Sequence, residues 1–138
     1  MKKIEAINDF VIKFANVNGS GSASANELFA KAILRMGVPV SPRNIFPSNI
    51  QGLPTWYEVR VNEKGYLARR GGVDMMVAMN PQTWGADLAE VGEGGYLFYD
   101  SSRPIPRIRV QRGFERHWRA LDRDQQQQLQ RAPPAPTL

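Results

Sequence analysis

One stretch constrains the fold more than any other. Phe10-Val11-Ile12-Lys13-Phe14-Ala15-Asn16-Val17 is a short, mostly apolar run that reads as a buried strand. Asn18-Gly19-Ser20-Gly21-Ser22 interrupts it with small, conformationally permissive residues. Ser24 followed by Glu27 is a capping-box spacing, in which a hydroxyl accepts from a helix amide and the carboxylate reaches back. A helix is predicted through Leu28, Phe29, Ala32, Ile33 and Met36, ending at Gly37 with Pro39 beyond. A new strand is expected from Val38-Pro39-Val40. Strand, glycine turn, capped helix and strand make a βαβ crossover, whose hand in a parallel sheet is right-handed.

Residues 41–55 are rich in Pro, Ser, Asn and Gly and read as a long loop, a place where function concentrates. Trp56 to Asn62 alternates, with Tyr57, Val59 and Val61 on one side and Glu58 and Arg60 on the other, as in a half-exposed strand. A turn at Asn62-Glu63-Lys64-Gly65 then allows Tyr66-Leu67-Ala68 to return as a hairpin. Val73 to Met79 is a second mostly buried strand, with Met75, Met76 and Met79 expected in the core. Asn80 and Pro81 suit the start of a helix over residues 81–91. Gly92-Glu93-Gly94-Gly95 should end that helix, and Tyr96 to Tyr99 is a further strand. The order β-α-β-β-β-α-β predicts a three-layer, Rossmann-like α/β fold with a mostly parallel sheet and a β-hairpin insertion.

The 138 residues suit one domain. No apolar run is long enough to span a membrane. Met1-Lys2-Lys3-Ile4-Glu5 is a poor signal peptide, so a cytoplasmic protein is expected. The absence of cysteine excludes disulfides, thiolate zinc sites, cysteine-ligated clusters and a cysteine nucleophile. A catalytic triad or histidine metal site would rest on His117 alone, so no catalytic or metal residue is assigned. The net charge of +5 arises after Ser102, where eight arginines face Glu115, Asp122 and Asp124 and lysine vanishes. The charge therefore describes a tail and does not point to a nucleic-acid-binding fold.

Asn18, Gly19, Ser20, Gly21, Ser22 and Ser24 form the best ligand candidate. Backbone amides at a helix N-terminus favour a phosphate or pyrophosphate. The stretch lacks the third glycine of the dinucleotide fingerprint and the lysine of the Walker motif, and a plain βα turn explains it equally. Arg69 and Arg70 can hold an anion or a partner's carboxylates, or form a solvated loop. Trp56 and Tyr57 suit an interface anchor or packing on the domain's own sheet.

Four stretches taken together resemble one family: residues 18–26, 46–61, 69–80 and 94–102, with Phe46-Pro47-Ser48-Asn49-Ile50-Gln51-Gly52-Leu53-Pro54-Thr55-Trp56-Tyr57 the most specific. They are similar to the gamma subunit, or gamma domain, of 2-oxoacid:ferredoxin oxidoreductases. The resemblance covers residues 8–107. It implies a supporting, non-catalytic part of an enzyme that oxidatively decarboxylates a 2-oxoacid to an acyl-CoA. It places thiamine diphosphate, magnesium and iron–sulfur clusters on partner subunits. It implies contact with alpha and beta subunits, with ferredoxin reached through the complex and no membrane. No cofactor is assigned to this chain alone, and coenzyme A is the ligand the resemblance admits. Gln51, Gly52, Trp56, Tyr57, Arg69 and Arg70 are the expected partner-facing residues. The family's turn reads Gly-x-Gly-Gln-Gly, where this chain has Gly19-Ser20-Gly21-Ser22-Ala23.

Residues 108–138 form an Arg/Gln/Pro-rich segment unlike the family, and the family fold is expected to be incomplete at its C-terminal end. A shifted reading frame accounts for the sudden exchange of lysine for arginine. The alternative is a genuine basic tail for nucleic acid or an acidic partner, with a free-standing nucleotide- or CoA-binding module as the other competing function.

Overall fold

The computed structural model describes residues 8–100 and the backbone of the strand Arg119–Leu121. The amino-terminal start, His117 and most of the arginine-rich segment lie outside the described residues.

Six strands form one sheet in the order β2-β3-β1-β4-β5-β6: β1 (Asp9–Val17), β2 (Val40–Ile45), β3 (Pro54–Asn62), β4 (Val73–Ala78), β5 (Val91–Tyr99) and β6 (Arg119–Leu121). β4, β5 and β6 continue in parallel from β1. β3 runs antiparallel to both of its neighbours, β1 and β2. Among the described residues it is thus the one reversed strand of a mostly parallel mixed sheet, and β2 points the same way as β1. The crossover from β1 through α1 (Ser22–Arg35) to β2 joins like-directed strands with β3 inserted between them.

Alternation along the strands assigns the two faces. On one face, Ala30 and Ile33 of α1 pack on Tyr57, Val59 and Val61, with Phe10, Phe14, Val38 and Val40 at the margin. On the other, Trp84 and Leu88 of α2 (Trp84–Ala89) pack on Val11, Ala15, Met76, Ala78, Val91 and Leu97. One helix on each face gives three layers, as expected.

Several local expectations are corrected. The hairpin insertion is made by β2 and β3, with Ser41 opposite Arg60 and Asn44 opposite Tyr57, while Tyr66–Ala68 forms no strand. The expected loop after residue 41 begins as this edge strand. β3 is buried on both faces: Glu58 and Arg60 are 5% and 7% exposed, where a half-exposed strand was expected. The capping box is not used, because α1 starts at Ser22 with Gly21 as a left-handed N-cap and no side-chain cap. Asn80 caps a turn rather than the helix; its Oδ1 accepts from the Gln82 amide at 3.1 Å, and α2 begins only at Trp84. The glycines of 92–95 belong to β5 as a bulge. Val73 pairs with Val91 and Met75 with Tyr96, so β5 holds extra residues there. Gly95 is required at that point, since an added Cβ would lie 2.9 Å from the Gly92 carbonyl oxygen. Of the three methionines only Met76 is fully buried; Met75 is half-buried and Met79 is exposed.

Candidate functional site

The glycine turn leaves the C-terminal end of β1, the strand that separates β2 and β3 on one side of the sheet from β4, β5 and β6 on the other. Such a switch point is where open α/β sheets hold ligands. Gly19 and Gly21 have φ of 81° and 77°, values that β-carbon-bearing residues rarely adopt. The first-turn amides of Ser22, Ala23 and Ser24 have no intrahelical acceptor, no side chain caps them, and no acidic residue offsets the helix dipole.

A second wall faces this turn. Asn18 binds it to residues 48–53 through both backbone and side chain. Its amide donates to the Leu53 carbonyl at 2.8 Å, and its carbonyl accepts from Gly52 at 3.0 Å. Its Nδ2 donates to the carbonyls of Ser48 at 3.2 Å and Ile50 at 3.1 Å. Between the walls lies a cleft of about 380 Å³ lined by Asn18, Gly19, Gly21, Ser22, Ala23, Asn44, Phe46, Asn49 and Thr55. Amides, hydroxyls and one half-exposed aromatic ring converge there. Such groups can bind an anion and stack a flat or apolar moiety.

A second cleft, of about 510 Å³, opens near the other end of the parallel strands, between Arg69-Arg70-Gly71-Gly72 and the end of α2. Its charges are mutually engaged. Arg69 donates Nε and Nη2 to the two Glu58 oxygens at 3.3 and 3.2 Å. Arg70 pairs with Asp74, and Lys13 reaches Glu90 at 2.5 Å while lying over the Trp56 ring. Below it Arg60 pairs with Asp9, whose carboxyl is held below its ordinary range by hydrogen bonds from Arg60 and Asn62.

The residues singled out in the sequence therefore separate. Asn18 to Ser24 join Gln51 and Gly52 at the first cleft; the Gln51 side chain lies against Gly19. Arg69 and Arg70 line the second cleft. Trp56 and Tyr57 point to opposite faces. The indole Nε1 of Trp56 donates to Asp87 at 2.8 Å, and Tyr57 is buried under α1, which pushes its phenol pKa up. Both rings are committed to the domain's own packing. Asn44, Asn49 and Thr55 were given no site role; they lay in a stretch read as a loop, and Asn49 and Thr55 were marked only as part of the family-like run from Phe46 to Tyr57.

A family model described as pyruvate ferredoxin/flavodoxin oxidoreductase matches residues 11–134. The chain belongs to this family. The match includes the glycine turn and the residues lining both clefts, and runs beyond residue 107 through most of the arginine-rich segment. Among curated proteins, this family member is 25% identical over 100 residues to subunit alpha of 2-oxoacid:ferredoxin oxidoreductase 2 from Aeropyrum pernix; these residues are 72% of this chain and 16% of that one. Among solved structures it superposes on 2-oxoglutarate:ferredoxin oxidoreductase from Magnetococcus marinus with a TM-score of 0.69 and 22% identity, covering 85% of this chain and 20% of that one. The gamma subunit of a keto/oxoacid ferredoxin oxidoreductase from Geobacter sulfurreducens gives 0.61 and 18%, covering 82% and 60%. A pyruvate oxidoreductase subunit from Thermotoga maritima gives 0.59 and 20%, covering 72% and 53%. The family fold is thus present, and the chain spans a part of each relative's length.

Proposed function

We propose that this family domain is a supporting, non-catalytic part of a 2-oxoacid:ferredoxin oxidoreductase, and that its glycine-turn cleft contributes to holding coenzyme A. The observation carrying the reading is the uncapped amide cradle of Ser22 and Ala23 facing Asn44, Phe46 and Asn49 across the first cleft. Phosphates suit the amides and the helix dipole, and an adenine or pantetheine portion suits the ring and the side-chain amides. The Magnetococcus enzyme carries this fold and was solved with 2-oxoglutarate, coenzyme A and succinyl-CoA bound, which supports the ligand class.

The redox and thiamine chemistry belongs elsewhere in the assembly. Without cysteine, the chain has no thiolate for an iron–sulfur cluster. Among the described residues no three His, Asp or Glu side chains gather as metal ligands. These donor sets do not fit thiamine-bound magnesium or a cluster, so partner alpha and beta subunits carry both, and ferredoxin is served through the complex. Among the described residues no helix is long and apolar enough to cross a membrane. A cytoplasmic complex accords with the choice of partners.

Two experiments test this. Coenzyme A should raise the melting temperature of the chain more than NAD, FAD or ADP, because a ligand that binds only the folded state stabilises it. Co-expression with matching alpha and beta chains should give 2-oxoacid- and CoA-dependent reduction of a viologen dye. A free-standing nucleotide module would respond to NAD or FAD and form no complex.

A further inference from the structure

The far wall of the first cleft is anchored by a side chain of the near wall. The far wall is the loop between β2 and β3, residues 46–53, and every residue of it except Ser48 is exposed. Thr55 closes its neck, donating Oγ1 to the Ile45 carbonyl at 3.2 Å. Its tip is a preformed turn. Ser48 Oγ accepts from the Ile50 amide at 3.2 Å, and the Leu53 amide donates back to the Ile50 carbonyl at 3.4 Å. Gly52 is the third residue of that turn and has a φ of 89°, as a type II turn demands there.

Asn18 ties this turn to the end of β1. Its backbone bonds with Gly52 and Leu53 carry the β1–β3 pairing past Val17 and Pro54. Its Nδ2 then reaches further, to the Ser48 and Ile50 carbonyls, 30 and 32 residues away in sequence. Gln51 supplies the opposite restraint. Its side chain lies so close over Gly19 that a Cβ there would be 2.7 Å from Gln51 Cγ. The Asn18 amide draws the two walls together, and Gln51 stops them from closing further. Phe46 and Asn49, the loop residues that line the cleft, are thereby held opposite Ser22 and Ala23.

We infer that Asn18 is the positioning residue of this cleft: its side-chain amide latches the loop to the glycine turn and sets the width that a ligand must bridge. The inference rests on the coenzyme A reading proposed above. Both Nδ2 hydrogens are taken by the two carbonyls, so that nitrogen has none left for a ligand. The regular β1–β3 ladder from Asp9 to Val17 uses no side-chain atom of Asn18, so the sheet stands when that side chain is changed. A ligand that bridges two walls loses apparent affinity in proportion to the fraction of molecules that hold both walls in place.

The test is Asn18→Asp in the full chain. The shape is nearly kept, but an oxygen replaces Nδ2 and faces two carbonyl oxygens, so two hydrogen bonds become repulsions. Without ligand, the Ile50 and Gly52 amides should exchange with deuterium about tenfold faster or more, while the amides of β1 and β4 keep their protection. Isothermal titration at about pH 7 should give a coenzyme A affinity about tenfold weaker or more. At about pH 5 much of that loss relative to wild type should be recovered, because facing carbonyls favour the protonated carboxyl, which donates one hydrogen bond. Asn18→Ala removes the donors without adding a charge and should weaken binding alike at both pH values. Melting curves establish that each variant is folded, and the alanine variant carries the comparison if the aspartate variant is not. If the loop amides stay protected, if they are released with affinity unchanged, or if the folded aspartate variant shows no recovery in acid, the positioning role fails and the coenzyme A reading stands. If the wild type does not bind coenzyme A, both fail.

Discussion

The carboxylate of Asp74 accepts a hydrogen bond from the backbone amide of Val11 at 2.7 Å, joining β4 to β1 across 63 residues of sequence. A side chain here takes the place of a strand carbonyl at the start of the β1–β4 ladder, whose regular pairing begins at Ile12 and Met75. Arg70 closes over the same oxygen. Asp74→Ala should destabilise the domain by about 1–3 kcal/mol, because it leaves a half-buried amide unpaired. Asp74→Asn keeps an acceptor and should cost less. Urea denaturation of the two variants checks the order.

Gly19 and Gly21 offer a controlled pair. Both have positive φ, but a Cβ at Gly19 would lie 2.7 Å from Cγ of Gln51, whereas one at Gly21 meets nothing within 4 Å. Gly21→Ala should cost about 1–2 kcal/mol, for backbone strain alone. Gly19→Ala should cost more, and Gln51→Ala should recover the excess in the double variant. A double-mutant cycle by urea denaturation measures that coupling.

The pair in the second cleft is lopsided. The Glu58 side chain is 7% exposed and that of Arg69 is 57% exposed. Arg69→Ala strands a carboxylate in the sheet and should cost on the order of 2–3 kcal/mol. Glu58→Gln leaves only a solvated arginine and should cost under about 1 kcal/mol. Thermal or urea unfolding separates the two.

Burial raises the Asp87 pKa above its ordinary 3.8, against hydrogen bonds from Thr83 and Trp56 and the nearby charge of Lys13 that lower it, with Glu90 adding to the rise. The folded state then binds a proton that the unfolded state has released, so Asp87 lowers stability as pH rises from the ordinary value through the raised one. Asp87→Asn keeps groups for Trp56 and Thr83 and cannot ionise. Its urea midpoint relative to wild type should improve from about pH 3 to about pH 7. A constant difference across that range would overturn the assignment.

The sequence was most legible where apolar pattern and punctuation agree. The β1 run, the glycine turn, α1 and the Val73 strand need no distant partner to be recognised, and the family resemblance extended from them. The strand expected from Val38-Pro39-Val40 is β2, but its extent was hidden because Ser41, Pro42, Arg43 and Asn44 have loop composition; an edge strand tolerates proline since one side makes no ladder bonds. The two-sided burial of β3 was hidden because Glu58 and Arg60 look solvent-facing until Arg69 and Asp9 are found beside them. The far wall of the cleft was hidden for a different reason: Asn44, Asn49 and Thr55 meet the glycine turn only because β3 runs antiparallel between β1 and β2.

That single reversed strand has one more effect. It folds the chain back so that every residue lining the first cleft falls between Asn18 and Thr55. The pocket travels as one uninterrupted cassette. A gene fusion or split that moves this segment, whether into a long subunit or into a short separate one, carries the whole lining of the cleft with it.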